Sequence, residues 1–251
     1  MKRFLIIFIL LAALWGSFFI AERALNMNIT QRPSPNHTVG RQGWIPDIIV
    51  CHITEGTFPG SINWVTNSQS QVSYHFMISR RGEVTQCVNI RNMAWANGTT
   101  NNNDSRDNRH SLITNVRNRR VNANLFTISI GFEGLHREMQ GGLVLAQLEA
   151  AVNLIKFLRE EVRRIWDVII PVNRTHIVGH VDITPRTRPY CPGVNFPYAE
   201  IIRRLNAENQ IPPPLPSFKV GDIVQFTGGG VFASYKPFYS YACAQLTNYG
   251  I

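Results

Sequence analysis

Cysteine is scarce in this 251-residue chain: Cys51, Cys87, Cys191 and Cys243 are too few and too widely spread to make a disulfide scaffold. Acidic side chains are also in deficit, with 16 Asp and Glu against 25 Lys and Arg, which leaves a formal charge of +9 and a pI near 9.8. That imbalance implies an anionic partner, with nucleic acid, acidic lipid and an anionic cell-wall polymer as the alternatives. The basic residues are scattered or paired, as in Arg117-Asn118-Arg119-Arg120 and Arg163-Arg164, and no nucleic-acid motif accompanies them. A solvated basic face is therefore expected, and no nucleic acid partner.

What the chain does contain is a composition ordinary for a globular protein, 44% hydrophobic and 16% charged, over a length that holds one sizeable domain with a packed core. Residues Met1-Lys2-Arg3 precede an apolar run from Phe4 through Ile20, with no charge until Glu22. This has the form of a secretory signal or a membrane anchor, and a start at Met27 is the third alternative. Membrane contact is expected through residues 4–20. The location that follows is secreted or cell-wall associated, with membrane anchoring by this segment as one alternative, or cytoplasmic if Met27 is the start.

The most informative stretch runs from Gly179 to Gly193, where His180 and Cys191 stand eleven positions apart across a proline-bearing loop. Imidazole nitrogen and thiolate sulfur are both good zinc donors, and three protein ligands leave a fourth tetrahedral position open for water. The third ligand is expected to be His52, near the end of the apolar run Ile48-Ile49-Val50-Cys51-His52, which reads as a buried strand ending at a polar turn. Cys51 points to the opposite face of that strand and reads as a small buried hydrophobe.

Around these motifs the pattern predicts a helix over Ser61–Asn67, a strand over Val72–Ser79 with a hairpin partner over Val84–Ile90, and a strand over Phe126–Phe132 delivering Glu133. Leu148, Val152, Ile155, Leu158, Val162 and Ile165 recur at spacings of three and four, predicting an amphipathic helix over Ala146–Trp166. A strand over Arg174–Gly179 and a closing helix over Tyr198–Asn206 follow. Asn28 to Gly43 reads as an extended arm, and Asn97 to Asn108 as a long surface loop bordering the site. The predicted organisation is a leader or extension over residues 1–26 and a catalytic domain over 28–206. A proline-rich linker follows over 207–217, and then a truncated Src-homology-3-like wall-binding module or disordered tail over 218–251.

Five motifs in order carry a resemblance: Ile49-Val50-Cys51-His52-Ile53-Thr54, Val72-Ser73-Tyr74-His75-Phe76, Ala94-Trp95-Ala96-Asn97-Gly98, Ser129-Ile130-Gly131-Phe132-Glu133-Gly134, and Gly179 to Gly193. The chain resembles the zinc-dependent N-acetylmuramoyl-L-alanine amidases of type 2, which include phage lysins and peptidoglycan recognition proteins. The resemblance implies an α/β fold with a mixed central sheet flanked by helices. It also implies Zn2+ held by His52, His180 and Cys191, and hydrolysis of the bond between N-acetylmuramic acid and L-alanine in bacterial peptidoglycan. Some relatives use aspartate where this chain has Cys191. Glu133 matches a carboxylate that acts on the metal-bound water in one branch, and Tyr74 a tyrosine beside the metal in another. Many relatives place a lysine where this chain has Pro189, so the nearest cation is Arg188, which can act electrostatically but does not give up its proton. The expected site is thus Glu133, Tyr74 and Arg188 for catalysis and Trp95, Asn97 and His75 for substrate, in a monomer acting as an endolysin or in wall turnover. The second reading, from a different class, is a wall-binding module that does not cut; the retained Cys191 favours the enzyme.

Overall fold

The computed structural model of the chain describes residues 27–97 and 108–207. The chain divides into Met1–Gln210 and Ile211–Ile251, and every described residue belongs to the first unit. The leader over 1–26, most of the loop over 97–108, the linker beyond Ala207 and the tail over 218–251 lie outside the described residues.

Two apolar hexapeptides build the centre. Strand β3 (Ile48–Ile53) and strand β7 (Thr127–Phe132) are buried at every position and pair in parallel, with His52 opposite Gly131. Continuous apolar runs of this kind suit strands covered on both faces. In chain order the other strands are β1 (Ile29–Gln31), β2 (His37–Thr38), β4 (Phe76–Ile78), β5 (Val84–Gln86), β6 (Met93–Ala94) and β8 (Ile177–Gly179). The main sheet has the order β1-β5-β4-β7-β3-β8, and β2 pairs with β6 in a small antiparallel sheet. Only the β4–β5 hairpin is antiparallel within the main sheet, so β3, β4, β7 and β8 all end on the same edge. Open α/β sheets bind their ligands at that edge.

The helices are α1 (Phe58–Thr66), α2 (Thr114–Arg119), α3 (His136–Met139), α4 (Leu145–Trp166), α5 (His180–Ile183) and α6 (Tyr198–Ala207). The apolar stripe of α4, with Leu154, Ile155, Leu158 and Val162 fully buried, packs in one cluster with Ile49, Cys51, Ile128 and Ile130. Alternation along the strands sends Ile48 and Val50 into a second cluster with Phe126, Val178 and Ile183 on the opposite face. His52 shares the parity of Ile48 and Val50 and so leaves the core on the side away from α4. Leu154→Ala is expected to cost about 2–5 kcal/mol, read as a lower denaturant midpoint at unchanged slope.

Predicted strands over Val72–Ser79 and Arg174–Gly179 are shorter in the fold. The second starts only at Ile177, because Asn173 closes a turn in which its Oδ1 accepts from Thr175 N at 3.0 Å and its carbonyl accepts from Ile177 N at 2.9 Å. The arm over Asn28–Gly43 is not merely extended, since Ile29–Gln31 joins the sheet edge in parallel with Val84–Gln86. One expectation is corrected. Among the described residues no helix is long and apolar enough to cross a membrane, and residues 4–20, on which the anchored location rested, are not among them.

Candidate active site

His52 projects from the end of β3, and His180 opens the short helix that follows β8. Gly179 makes the junction between them possible. A Cβ there would lie 2.3 Å from Tyr198 Oη and 2.7 Å from Pro192 Cδ, so only glycine lets the Cys191 end of the loop close against the His180 end. Val181 N donates to the Cys191 carbonyl at 2.8 Å and completes that closure. Asp182 secures the turn from inside, its Oδ2 accepting from Gly179 N at 2.6 Å and from Arg174 Nη2 at 2.7 Å. It orients the loop and leaves the ligand positions to its neighbours.

The result is convergence. His52 Nδ1 and His180 Nδ1 are 3.0 Å apart, and Cys191 Sγ lies 4.0 Å from His52 Nδ1. These are the side chains whose donor atoms, all within 4.8 Å of one another, can hold a metal ion among the described residues. Tetrahedral zinc, with bonds of about 2.0–2.1 Å to nitrogen and 2.3 Å to sulfur, separates its ligand atoms by roughly 3.3–3.6 Å. The separations of 3.0 and 4.0 Å bracket that range, so small side-chain shifts bring the donors to a metal. Protonation agrees: burial, and next the repulsion that a proton on His180 would add, hold His52 well below the usual imidazole range, and burial takes His180 down to about 4. Both rings are neutral, as ligands must be. Their Nε2 atoms are buried without partners at full hydrogen-bond geometry, although the His180 ring feels the Asn97 carbonyl, which favours its protonated form. If the two Nδ1 atoms merely bonded to each other, one ring would bury an unprotonated Nε2 with no donor; if both lone pairs serve a cation, each Nε2 carries a hydrogen.

Cys191 completes the set from a free edge. Odd-numbered residues of β3 present their N–H groups toward β8, as Ile49 does to the His176 carbonyl, but β8 ends at Gly179 opposite Cys51. Ile53 N–H is left facing the sulfur. Burial pushes the Cys191 thiol up to about 12, and the hydrogen bond from Ile53 pulls the other way.

Beside the triad, the Tyr74 ring centroid lies 5.0 Å from that of His52. It occupies space left by Gly131, where a Cβ would come within 2.8 Å of Tyr74 Cδ2. Burial raises the phenol pKa, so Tyr74 is a hydrogen-bond donor at neutral pH. Arg188 is exposed at the cleft, and its charge is felt at His52, His180, Cys191 and Tyr74. The sequence reading overlooked Glu55, whose charge is felt at both Tyr74 and Cys191. Its place in the polar turn three residues after His52 was the available signal.

Glu133 stands at the end of β7 with both carboxylate oxygens engaged: Oε1 accepts from Phe58 N at 2.9 Å and Oε2 from Arg80 N at 2.7 Å. Trp95 is half-buried, its Nε1 donating to Thr38 Oγ1 at 3.0 Å. Two of the residues expected to bind substrate, His75 and Asn97, have buried side chains. His75 is 1% exposed; its Nδ1 accepts from Ser129 N at 3.0 Å and its Nε2 meets the Asn92 carbonyl and the buried Arg41 guanidinium. It faces away from Tyr74 along the chain and knits the core. The Asn97 side chain is fully buried, with Nδ2 donating to Thr127 Oγ1 at 3.0 Å, so it is the Asn97 carbonyl and not its amide that faces the site.

A mixed α/β sheet with a His-His-Cys cluster at the carboxyl ends of its parallel strands defines the class of hydrolases that can build their active site on a bound metal. The N-acetylmuramoyl-L-alanine amidase family model matches residues 41–194, and the chain belongs to that family. It is a peptidoglycan amidase, and the binding-only reading is not favoured. N-acetylmuramoyl-L-alanine amidase A of Achromobacter lyticus is 25% identical over 170 residues, 63% of this chain and 82% of that one. Among solved structures, a selenomethionine AmpD derivative is similar at 22% identity and a TM-score of 0.49, over 72% of this chain and 96% of that one. AmiD of E. coli, solved with anhydro-N-acetylmuramic acid-L-Ala-D-gamma-Glu-L-Lys, is similar at 21% identity and a TM-score of 0.46, over 65% of this chain and 59% of that one.

Proposed function

We propose that the chain cleaves the amide between the lactyl group of N-acetylmuramic acid and L-alanine with zinc held by His52, His180 and Cys191. The observation that supports this reading is the approach of one donor atom each of His52, His180 and Cys191 to within 4.8 Å of one another. Zinc bound there supplies a water of pKa about 7 and polarises the scissile carbonyl. Tyr74 Oη, protonated, donates to the oxygen on which negative charge develops. Arg188 adds positive charge at the cleft and keeps its proton. The net charge of +9 suits an anionic wall polymer.

Of Glu133 and Tyr74, Tyr74 has the larger part in the rate, as the donor that stabilises the developing oxyanion. Glu133 keeps a free lone pair on each oxygen but is held in orientation by the amides of Phe58 and Arg80, whereas the Tyr74 ring stands directly beside His52. Tyr74→Phe is expected to lower kcat by about a hundredfold with zinc content unchanged, and Glu133→Gln by less than tenfold. The test is zinc analysis of the purified chain, followed by release of new amino groups from purified walls between about pH 6 and 9, where zinc-bound water ionises. Wall binding by a zinc-loaded chain without release of amino groups would end the hydrolase reading. A Glu133→Gln loss exceeding that of Tyr74→Phe would reverse the two roles.

A further inference from the structure

Tyr190 immediately precedes Cys191, yet its side chain is not drawn into the fold: the residue is 70% exposed. Its ring stands on a braced support. The His136 ring lies against it, centroids 5.5 Å apart and tilted by 44°. His136 begins α3, and its backbone N–H donates to Glu55 Oε1 at 3.0 Å. Arg80 Nη2 reaches Glu138 of the same helix at 2.5 Å. Beyond α3, the Gln140-Gly141 turn seats the metal loop so closely that a Cβ on Gly193 would lie 2.1 Å from the Gln140 carbonyl and one on Gly141 would lie 2.4 Å from that of Pro192. Asn195 N donates to the Gln140 carbonyl at 2.9 Å. The β3–α1 loop is stitched to the same wall, with Gly56 N donating to the Gly134 carbonyl at 3.2 Å.

A large aromatic ring held against His136 and 70% exposed, one residue from a ligand position, has the form of a stacking platform. Resting on the amidase reading, we propose that Tyr190 receives the pyranose ring of the substrate's muramic acid, with His136 and Glu55 as the residues that position it. The substrate's two halves differ in what they offer such a ring. The peptide half beyond L-alanine presents carboxylates, for which Tyr190 has no charge. The sugar half presents a flat face of C–H groups, and only an ether oxygen and one carbon separate it from the scissile carbonyl. A platform beside the metal loop is where that face falls when the carbonyl is at the triad.

The test uses the full chain and two substrates, N-acetylmuramoyl-L-alanyl-D-glutamate and the corresponding lactyl dipeptide that lacks the pyranose, the latter measured as a competitive inhibitor where it is not turned over. Tyr190→Ala is expected to raise KM for the muramoyl substrate about tenfold with kcat changed less than twofold, the loss of one stacking contact. The KM or Ki for the lactyl compound should not move. Tyr190→Trp should restore the muramoyl KM and Tyr190→Leu should not, since a flat ring and not mere apolar bulk is required. Equal losses on both compounds, or a leucine variant as good as tryptophan, overturn the platform. Wild type that releases no amino group from the muramoyl substrate overturns the amidase reading instead, before any variant is compared.

Discussion

Cys191→Ala is expected to empty the metal site and abolish activity while leaving the fold in place. The sulfur is supplied by a loop and takes no part in the clusters that hold the sheet between its helices. What it does contribute is the donor that separates a three-ligand site from a pair of histidines facing each other across 3.0 Å. Zinc should fall from about one equivalent to a small fraction of that, because metal affinity rests on ligand number and geometry. Activity should fall by at least about a thousandfold, since loss of groups that merely orient a ligand already costs roughly 10- to 100-fold. Two further measurements distinguish loss of metal from loss of fold. At free zinc a hundred times its Kd, wild type should gain about 2.7 kcal/mol of stability over its chelated form, and the variant should gain none. Cys191→Asp, which keeps an anionic donor at the position, should recover part of the zinc and part of the rate. Full zinc content and full rate in Cys191→Ala would remove the cysteine from the site, and the His180 loop would need another ligand.

The parts of the molecule legible in its sequence are those where periodicity and burial agree. Ile48–Ile53, Thr127–Phe132 and Leu145–Trp166 appear within one residue of their predicted extents because each is a continuous apolar run or an unbroken stripe of spacing three and four. Ile29–Gln31 was hidden for the opposite reason. Its polar residues join the edge of the sheet through backbone bonds that no side-chain pattern records. The convergence of His52, His180 and Cys191 was legible as a donor set, although only the fold brings together residues separated by 128 and 139 positions. The roles of their neighbours were less so. His75 and Tyr74 are adjacent in the chain and point to opposite faces, and it took Arg41, from the region read only as an arm, to show that the His75 face is the buried one. Glu133 offered the sequence a carboxylate at a strand end; that it spends both oxygens on the amides of Phe58 and Arg80 depends on two loops whose meeting is tertiary.

Gly131→Ala tests the same arrangement from beneath. Gly131 pairs with His52 across the two central strands, so a side chain there would point to the site face, and the space it leaves empty is filled by the Tyr74 ring. A methyl group would sit 2.8 Å from Tyr74 Cδ2, 3.0 Å from Cε2 and 3.2 Å from Thr54 Cγ2, against a strand that is fixed on both sides. The ring and not the backbone must move. A displacement of about 1 Å at a catalytic group costs up to roughly a hundredfold, so kcat should fall by about 10- to 100-fold. Zinc content should stay unchanged, because the three atoms nearest the new methyl group belong to Tyr74 and Thr54 and none is a metal donor. Combined with Tyr74→Phe, the alanine should add little further loss, since both changes remove the same contribution and residues in contact are not additive. Losses that multiply in the double variant would mean that Gly131 acts through Thr54 or the strand itself, and the phenol would lose its claim to the reacting oxygen.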